Sequence, residues 1–428
     1  MNARVTAAAR ALLLIAGILP PLIALVRIVR GSVNVPYQDE WNWTGLAVAS
    51  RTGTLTWDAL WAPHNGHRQI VTNLLFLGID RLGGWNVVRE ELVGLAFIVV
   101  GLIALYRLVS RTFAPLTGAA AFAVFSWLIA GPIAYENFLS GWQMGWQICV
   151  AAVLIVVERL SAPLAPRWTV WFAGATAIVA SFSAAMGLVM WPCGLLVLAG
   201  RRAPRRTLAT WCGLWALTVF VYFAGYGYEG GPARAHELTD ALLYALTFLG
   251  TPLRSAEMTL GTLQAIGALL LLVFAGALAA ARRARTEPAQ LWPWVALGAY
   301  ALGGALFTAL TRSGIGIYQA QSPRYVSISQ FLIIADCALL VPRAAALRRP
   351  RWRLAGALLA SIFLVSFARS VQLGWIVWRD VQWHRGVELR GIARHDRSVF
   401  AQSYPDPTYV ERSLDQLRAV NDGPLAER

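Results

Sequence analysis

Four clusters in this chain carry side chains able to do chemistry. The first is "NVPYQDEWNW" (34–43), where Asp39 and Glu40 stand side by side between Tyr37 and two tryptophans, directly after an apolar run. Partial burial raises the pKa of one such carboxyl, while a nearby arginine or metal holds the other ionised. A carboxylate of this kind takes the proton of an attacking hydroxyl or binds a divalent cation (Mg, Mn or Ca). The second, "PHNGHRQ" (63–69), gathers His64, Asn65, His67 and Arg68 around a glycine turn. H-x-x-H on a turn lacks the helical register of zinc sites. Hydrogen bonding to a sugar or phosphate fits better, with Arg68 as a fixed fork for phosphate oxygens.

"YENFLSGWQMGWQ" (135–147) is the third cluster, with Glu136, Asn137, Trp142 and Gln143. On a helix, Gln143 and Gln147 share one face, as do Trp142 and Trp146. Indoles beside amides suit a sugar, whose C–H face packs on an aromatic ring; an interfacial aromatic belt accounts for the tryptophans alone. The fourth pairs Arg312 with "SPRYVSISQ" (322–330), which holds Arg324 and Tyr325. Both arginines fall at the ends of apolar segments on the face where arginine is disfavoured, which invites an anionic partner such as a lipid-linked phosphate.

The elements that must position these residues are membrane spans. Of 428 residues, 57% are hydrophobic and 14% charged, against about 25% charged in ordinary domains. The composition is that of an all-α polytopic membrane protein. The net charge of +15 comes entirely from arginine and lies in short runs between apolar segments. That is the positive-inside pattern and argues against a nucleic-acid partner. Cys149, Cys193, Cys212 and Cys337 all sit in apolar stretches without metal or redox spacing. Residues 11–26 lack a cleavage site and read as an uncleaved first span.

About eleven spans are expected: 10–30, 92–110, 114–132, 143–157, 168–182, 186–200, 207–226, 258–281, 291–311, 325–342 and 354–372. The basic connections "RRAPRR" (201–206), "RRAR" (282–285) and Arg343 to Arg353 then share one side with the N-terminus. That side is expected to be cytoplasmic. Residues 1–372 form the membrane domain, with 31–91 as its first outer loop. The opposite face also receives 134–143, "GYEGGPARAHELTD" (227–240), 311–325 and a short tail, 373–428. Residues 69–82 show helical spacing along the interface. In the tail, Asp406 is placed to cap a helix that Pro407 begins, with Val410, Leu414 and Leu417 on one stripe.

"YQDEWNW", "HNGHRQI", "ENFLSGWQMGWQ" and "SPRY", in this order and layout, resemble bacterial proteins similar to the GT-C superfamily of membrane glycosyltransferases. The resemblance covers most of the chain in layout and about forty residues in motif. It implies a bacterial inner-membrane enzyme that takes a hexose or pentose from a polyprenyl-phosphate-linked donor. The acceptor would be a cell-envelope glycan or glycolipid on the periplasmic face. An acid of the first outer loop would be the base or help hold a metal, which falls to Asp39 with Glu40 beside it; which of the two acts stays open. Lipid-phosphate binding would map to Arg324 or Arg312. Larger members carry a substantial soluble C-terminal domain, which this short tail does not match. The rival readings are a transporter or flippase for a lipid-linked glycan, with "SFSAAMGLVMWPCG" (181–194) as a broken helix, and a non-catalytic assembly protein.

Overall fold

The computed structural model describes residues 3–162, 168–227, 237–344, 350–394, 397–400 and 404–423. Most of the expected 227–240 loop and part of the basic 343–353 stretch therefore lie outside the described residues. Among those described, the chain is helical except for one two-stranded hairpin. Among the same residues, seven helices are long and apolar enough to cross a membrane, or eight if the bent pair Pro115–Ala130 and Pro132–Phe138 counts as one span. The protein is thus an all-α, multi-pass membrane protein.

The long elements are α1 (Ala3–Gly31), α5 (Val87–Thr112), α6 (Pro115–Ala130), α7 (Met144–Ser161), α10 (Arg205–Phe223), α12 (Leu260–Arg283), α13 (Pro288–Arg312), α14 (Pro323–Ala344) and α15 (Pro350–Arg394). α7 is the central post: almost all of its apolar window is buried. It packs against α5, α8 (Thr169–Ser181), α9 (Met190–Gly200) and α13. A helix apolar all round belongs inside a bundle. α1, α12 and α15 keep most of their apolar surface outward, as lipid-facing helices do. α6 bends by 50° into the turn Pro132–Phe138, which carries the third cluster towards the bundle axis.

The expected spans at 168–182 and 186–200 are helices of 13 and 11 residues, short of the ~20 needed to cross. They meet at a break whose end packs on the first loop. The structure adds α11 (Leu238–Gly250), which pairs with α12. α15 does not stop at 372 but runs 45 residues to Arg394. Its length of about 67 Å exceeds the ~30 Å of hydrocarbon, so its second half rises beside the first loop. The basic turns after α9 and α12 share one end of the bundle. Arg201 caps α7 through the Leu160 and Ala162 carbonyls, and Gly200 lies against Trp292 of α13.

At the other end, the first loop folds into α2 (Thr44–Thr52), α3 (Trp57–Trp61), the hairpin β1 (Pro63–His64) and β2 (His67–Arg68), and α4 (Ile70–Arg81). It has its own small core of Trp41, Trp43, Phe76, Leu77 and Trp85, closed by Trp142. Trp43 stacks on Phe76 at 4.4 Å and meets Trp142 at 5.0 Å. The tail helix α16 (Pro407–Ala419) caps this core as its sequence pattern demands. Asp406 accepts from the Thr408 N–H, and Val410, Leu414 and Leu417 are buried, each contributing about 1.5–3 kcal/mol. Arg51 then ties Asp80 to Asp422, at 2.7 and 3.1 Å.

Candidate active site

Asp39 stands on a one-turn 3-10 helix, Gln38–Trp43, entered through Gln38 at φ +53°. That left-handed conformation is uncommon for a residue with a Cβ and marks a turn held by its surroundings. Its effect is to separate two adjacent acids. Asp39 is half-buried and lines a small polar cavity with His64, Asn65, His67, Gln69, Trp142, Gln143, Trp146, Arg312, Arg324 and Tyr325. Among the described residues, the Asp39 carboxylate makes no hydrogen bond or ion pair. It lies within electrostatic reach of both His64 and Arg324. A free carboxylate opposite guanidinium groups is the arrangement that general-base chemistry on an anionic substrate needs.

Glu40 has another task, and the expectation that it shares the chemistry is corrected. It is fully buried and accepts from the Tyr37 N–H at 2.8 Å and the Gly141 N–H at 2.7 Å. Burial pushes its carboxyl up, against the pull of Arg385 and these two amides. Glu40 therefore joins the first loop to the "LSGWQ" turn. Gly141 is the residue that permits the joint. A Cβ there would sit 2.2 Å from Glu90 Oε2 and 3.0 Å from Glu40 Oε1. Gly141→Ala is expected to cost about 1–3 kcal/mol through overpacking, read as a lower melting temperature in detergent.

Arg68 is corrected in the same way. Its Nε, Nη1 and Nη2 donate to the carbonyls of Tyr222, Trp61 and Ala224 at 2.6, 2.6 and 2.7 Å, and it stacks over Trp61 at 4.4 Å. At 1% exposure it has no fork left for phosphate; it clamps the hairpin to the end of α10. The hairpin turn, Asn65 at φ +48° and Gly66 at +79°, brings His64 and His67 side by side over the cavity. Arg312 donates to the Asn65 carbonyl, so the end of α13 braces that turn.

His64 lies edge-on to Trp142 at 4.8 Å and its Nε2 accepts from Asn65 Nδ2 at 2.9 Å. Burial lowers its pKa, opposed by Asp39 and helped by Arg312. His67 is partly buried, and desolvation, then Arg312 and Arg324, lower it to about 3. Its Nδ1 accepts the Ala185 N–H at 3.0 Å, at the break before α9. The remaining Nε2 therefore carries the hydrogen of a neutral ring. His67 is a hydrogen-bond donor and not a proton carrier between pH 5 and 8. His67→Gln is expected to leave the shape of the pH–rate profile unchanged, and His67→Ala to weaken substrate binding more than His67→Gln. The lowered pKa also sets a stability trend. Unfolded histidine binds its proton near pH 6.5 and the folded ring does not, so this contribution is complete above pH 6.5 and falls as pH drops below it.

Glu136 and Asn137 do not line the cavity; they hold what does. Glu136 accepts from Arg324 Nη1 at 3.0 Å and from Ser322 Oγ at 3.0 Å, and Asn137 Nδ2 donates to the Arg324 carbonyl at 3.2 Å. They fix the first turn of α14 and aim Arg324. Tyr325 is buried between Trp146 and Phe248, at 5.6 and 5.3 Å. Trp142, Trp146 and Gln143 all face the cavity, but Gln147 points at Gly94 of α5. The turn Gly141–Gln143 is 3-10, so the shared amide face expected of a continuous α-helix does not form.

Sequence reasoning missed the second cavity. About 270 Å³ in volume, it shares Asn65, His67, Trp146, Arg312 and Tyr325 with the polar one and is otherwise lined mainly by Met186, Leu188, Tyr222, Phe223, Tyr226, Phe307, Thr308 and Thr311. It also missed Arg385, in the polar "WHRGVELR". Arg385 pairs with Glu91 at 3.1 Å and donates to the carbonyls of Val33, Val35 and Leu139. The acids "REEL" (89–92) at the head of an apolar run were the available signal.

Fold and site together define a multi-pass helical membrane protein with a polar cavity at one end, beside an apolar one that shares part of its lining. No family model matches the chain, and no curated protein matches it. Among solved structures, it is similar to the crystal structure of ArnT from Cupriavidus metallidurans in the apo state. The two are 17% identical, over 93% of this chain and 76% of that one, with a TM-score of 0.47.

Proposed function

We propose that this protein is a glycosyltransferase of GT-C type, taking a sugar from a polyprenyl-phosphate-linked donor and passing it to a hydroxyl of a cell-envelope glycan or lipid. The observation that carries the reading is the placement of Asp39. Among the described residues it is an unpartnered carboxylate facing Arg324, in a polar cavity that shares part of its lining with an apolar one. The apolar cavity offers the first isoprene units a dry wall, and Arg312 and Arg324 meet the phosphate. Their charge stabilises the leaving phosphate as the glycosidic C–O bond breaks. Asp39 takes the proton of the acceptor hydroxyl as its oxygen attacks the anomeric carbon from the opposite face, with inversion. His67 donates through Nε2 to donor oxygens, and Trp142 and Gln143 pack on and bond the sugar. By this reading the cavity faces the periplasm.

A divalent cation would have Asp39 as its carboxylate ligand. The donor set is otherwise poor: among the described residues no three His, Cys, Asp or Glu converge, and Glu136 is engaged by Arg324.

The experiment is transfer in vesicles. Purified protein supplied with a labelled polyprenyl-phosphate hexose or pentose and an envelope acceptor is expected to release polyprenyl phosphate and yield a product of inverted anomeric configuration. Binding of the donor without turnover would replace the enzyme by the assembly-protein reading, and movement of the intact lipid between leaflets by the flippase.

A further inference from the structure

At the end of the bundle away from the cavity, the last turns of α5 and α7 build a second charged site. Glu158 is buried, its side chain 2% exposed, and three arginines converge on it. Arg111 Nη2 lies 2.6 Å from Oε1, Arg107 Nε 3.3 Å from the same oxygen, and Arg159 Nε 3.3 Å from Oε2. One carboxylate against three guanidinium groups leaves two positive charges in excess. Arg107 and Arg159 engage Glu158 through Nε, so both Nη groups of each have no hydrogen-bond partner among the described residues. Those groups form the planar fork that matches phosphate oxygens.

The surroundings select the kind of anion. Arg159 lies 5.6 Å over the ring of Phe172, and Phe172 with Trp168 and Trp171 forms an exposed aromatic rim on the first turn of α8. Indole rings at the end of a membrane helix mark the headgroup level. Free guanidinium forks at that level, beside bare apolar rings, suit a ligand with a phosphate and attached acyl chains. We propose that this cluster binds the phosphodiester headgroup of an anionic membrane lipid, seating the ends of α5, α7 and α8 in the leaflet away from the cavity. Basic pockets between spans are recognised hosts for such headgroups. The proposal does not depend on the chemistry of the cavity.

The test uses the full chain and the Arg107→Gln/Arg159→Gln variant, which leaves Arg111 paired with the buried Glu158. Lipid retention is read by native mass spectrometry from vesicles of phosphatidylcholine alone or with phosphatidylglycerol. Wild type is expected to retain phosphatidylglycerol in preference to phosphatidylcholine, and the double variant to bind it roughly 30-fold more weakly, as two charges at headgroup level would give. A variant that is stable in detergent and retains phosphatidylglycerol like wild type overturns the proposal. So does millimolar glycerol phosphate or inorganic phosphate displacing the lipid, which would make the site one for a soluble anion. Arg107→Lys/Arg159→Lys separates charge from fork and is expected to fall between the two.

Discussion

Replacing Asp39 with Asn is expected to lower transfer by roughly 10²–10⁴-fold, the usual worth of a positioned general base, while the protein inserts and melts like wild type. The side chain is half-exposed and unpartnered, so the amide breaks no hydrogen bond and leaves no buried charge. The loss should lie in kcat with donor binding nearly intact, since Arg312, Arg324 and His67 remain. Glu40→Gln is the control. It alters a fully buried carboxyl bound to two backbone amides, so its effect should appear first in stability. An Asp39→Asn protein that keeps full turnover would remove Asp39 from the chemistry, and equal kcat losses in both variants with equal melting would leave the two acids undivided.

The second large effect is expected at a residue that never touches the cavity. Arg385 is 1% exposed, and Arg385→Met strips Glu91 of its ion-pair partner and frees the carbonyls of Val33, Val35 and Leu139. Breaking one side of a buried pair costs about 3–5 kcal/mol, because the remaining charge stays buried and uncompensated. A melt in detergent should show that loss, and Glu91→Gln combined with Arg385→Met should recover part of it. A melt indistinguishable from wild type would mean that the first loop holds its place without α15.

How far these residues were legible in the sequence has a physical explanation. Composition and run length identify apolar helices, because a span must satisfy its backbone internally and cover itself with apolar side chains. Hence α1, α5, α13 and α14 lie close to where their patterns put them. The clustering of Asp39, His64, His67, Arg312 and Arg324 followed from topology, since loops on one face meet. What the sequence did not resolve is direction within a cluster. Asp39 and Glu40 are one step apart on a 3-10 turn, which points them about 120° from each other. His67 and Arg68 are neighbours on a strand, where successive side chains take opposite faces. In each pair one residue faces the cavity and the other anchors the loop. The second half of α15 was hidden for another reason. It has left the hydrocarbon, so no apolar run announces it.

That overreaching helix also sets the order in which the protein can become active. The carbonyls that Arg385 grips, at Val33 and Val35, precede it by 352 and 350 residues. At ordinary translation speeds of about 5–20 residues per second, roughly 20–70 s separate synthesis of the first loop from synthesis of its clamp. For that interval Asp39 exists on a loop whose buried Glu91 has no counter-charge. The turn that carries Asp39 is made well before the clamp that completes its loop, and ribosomes stalled before Arg385 should carry inserted chains that are inert.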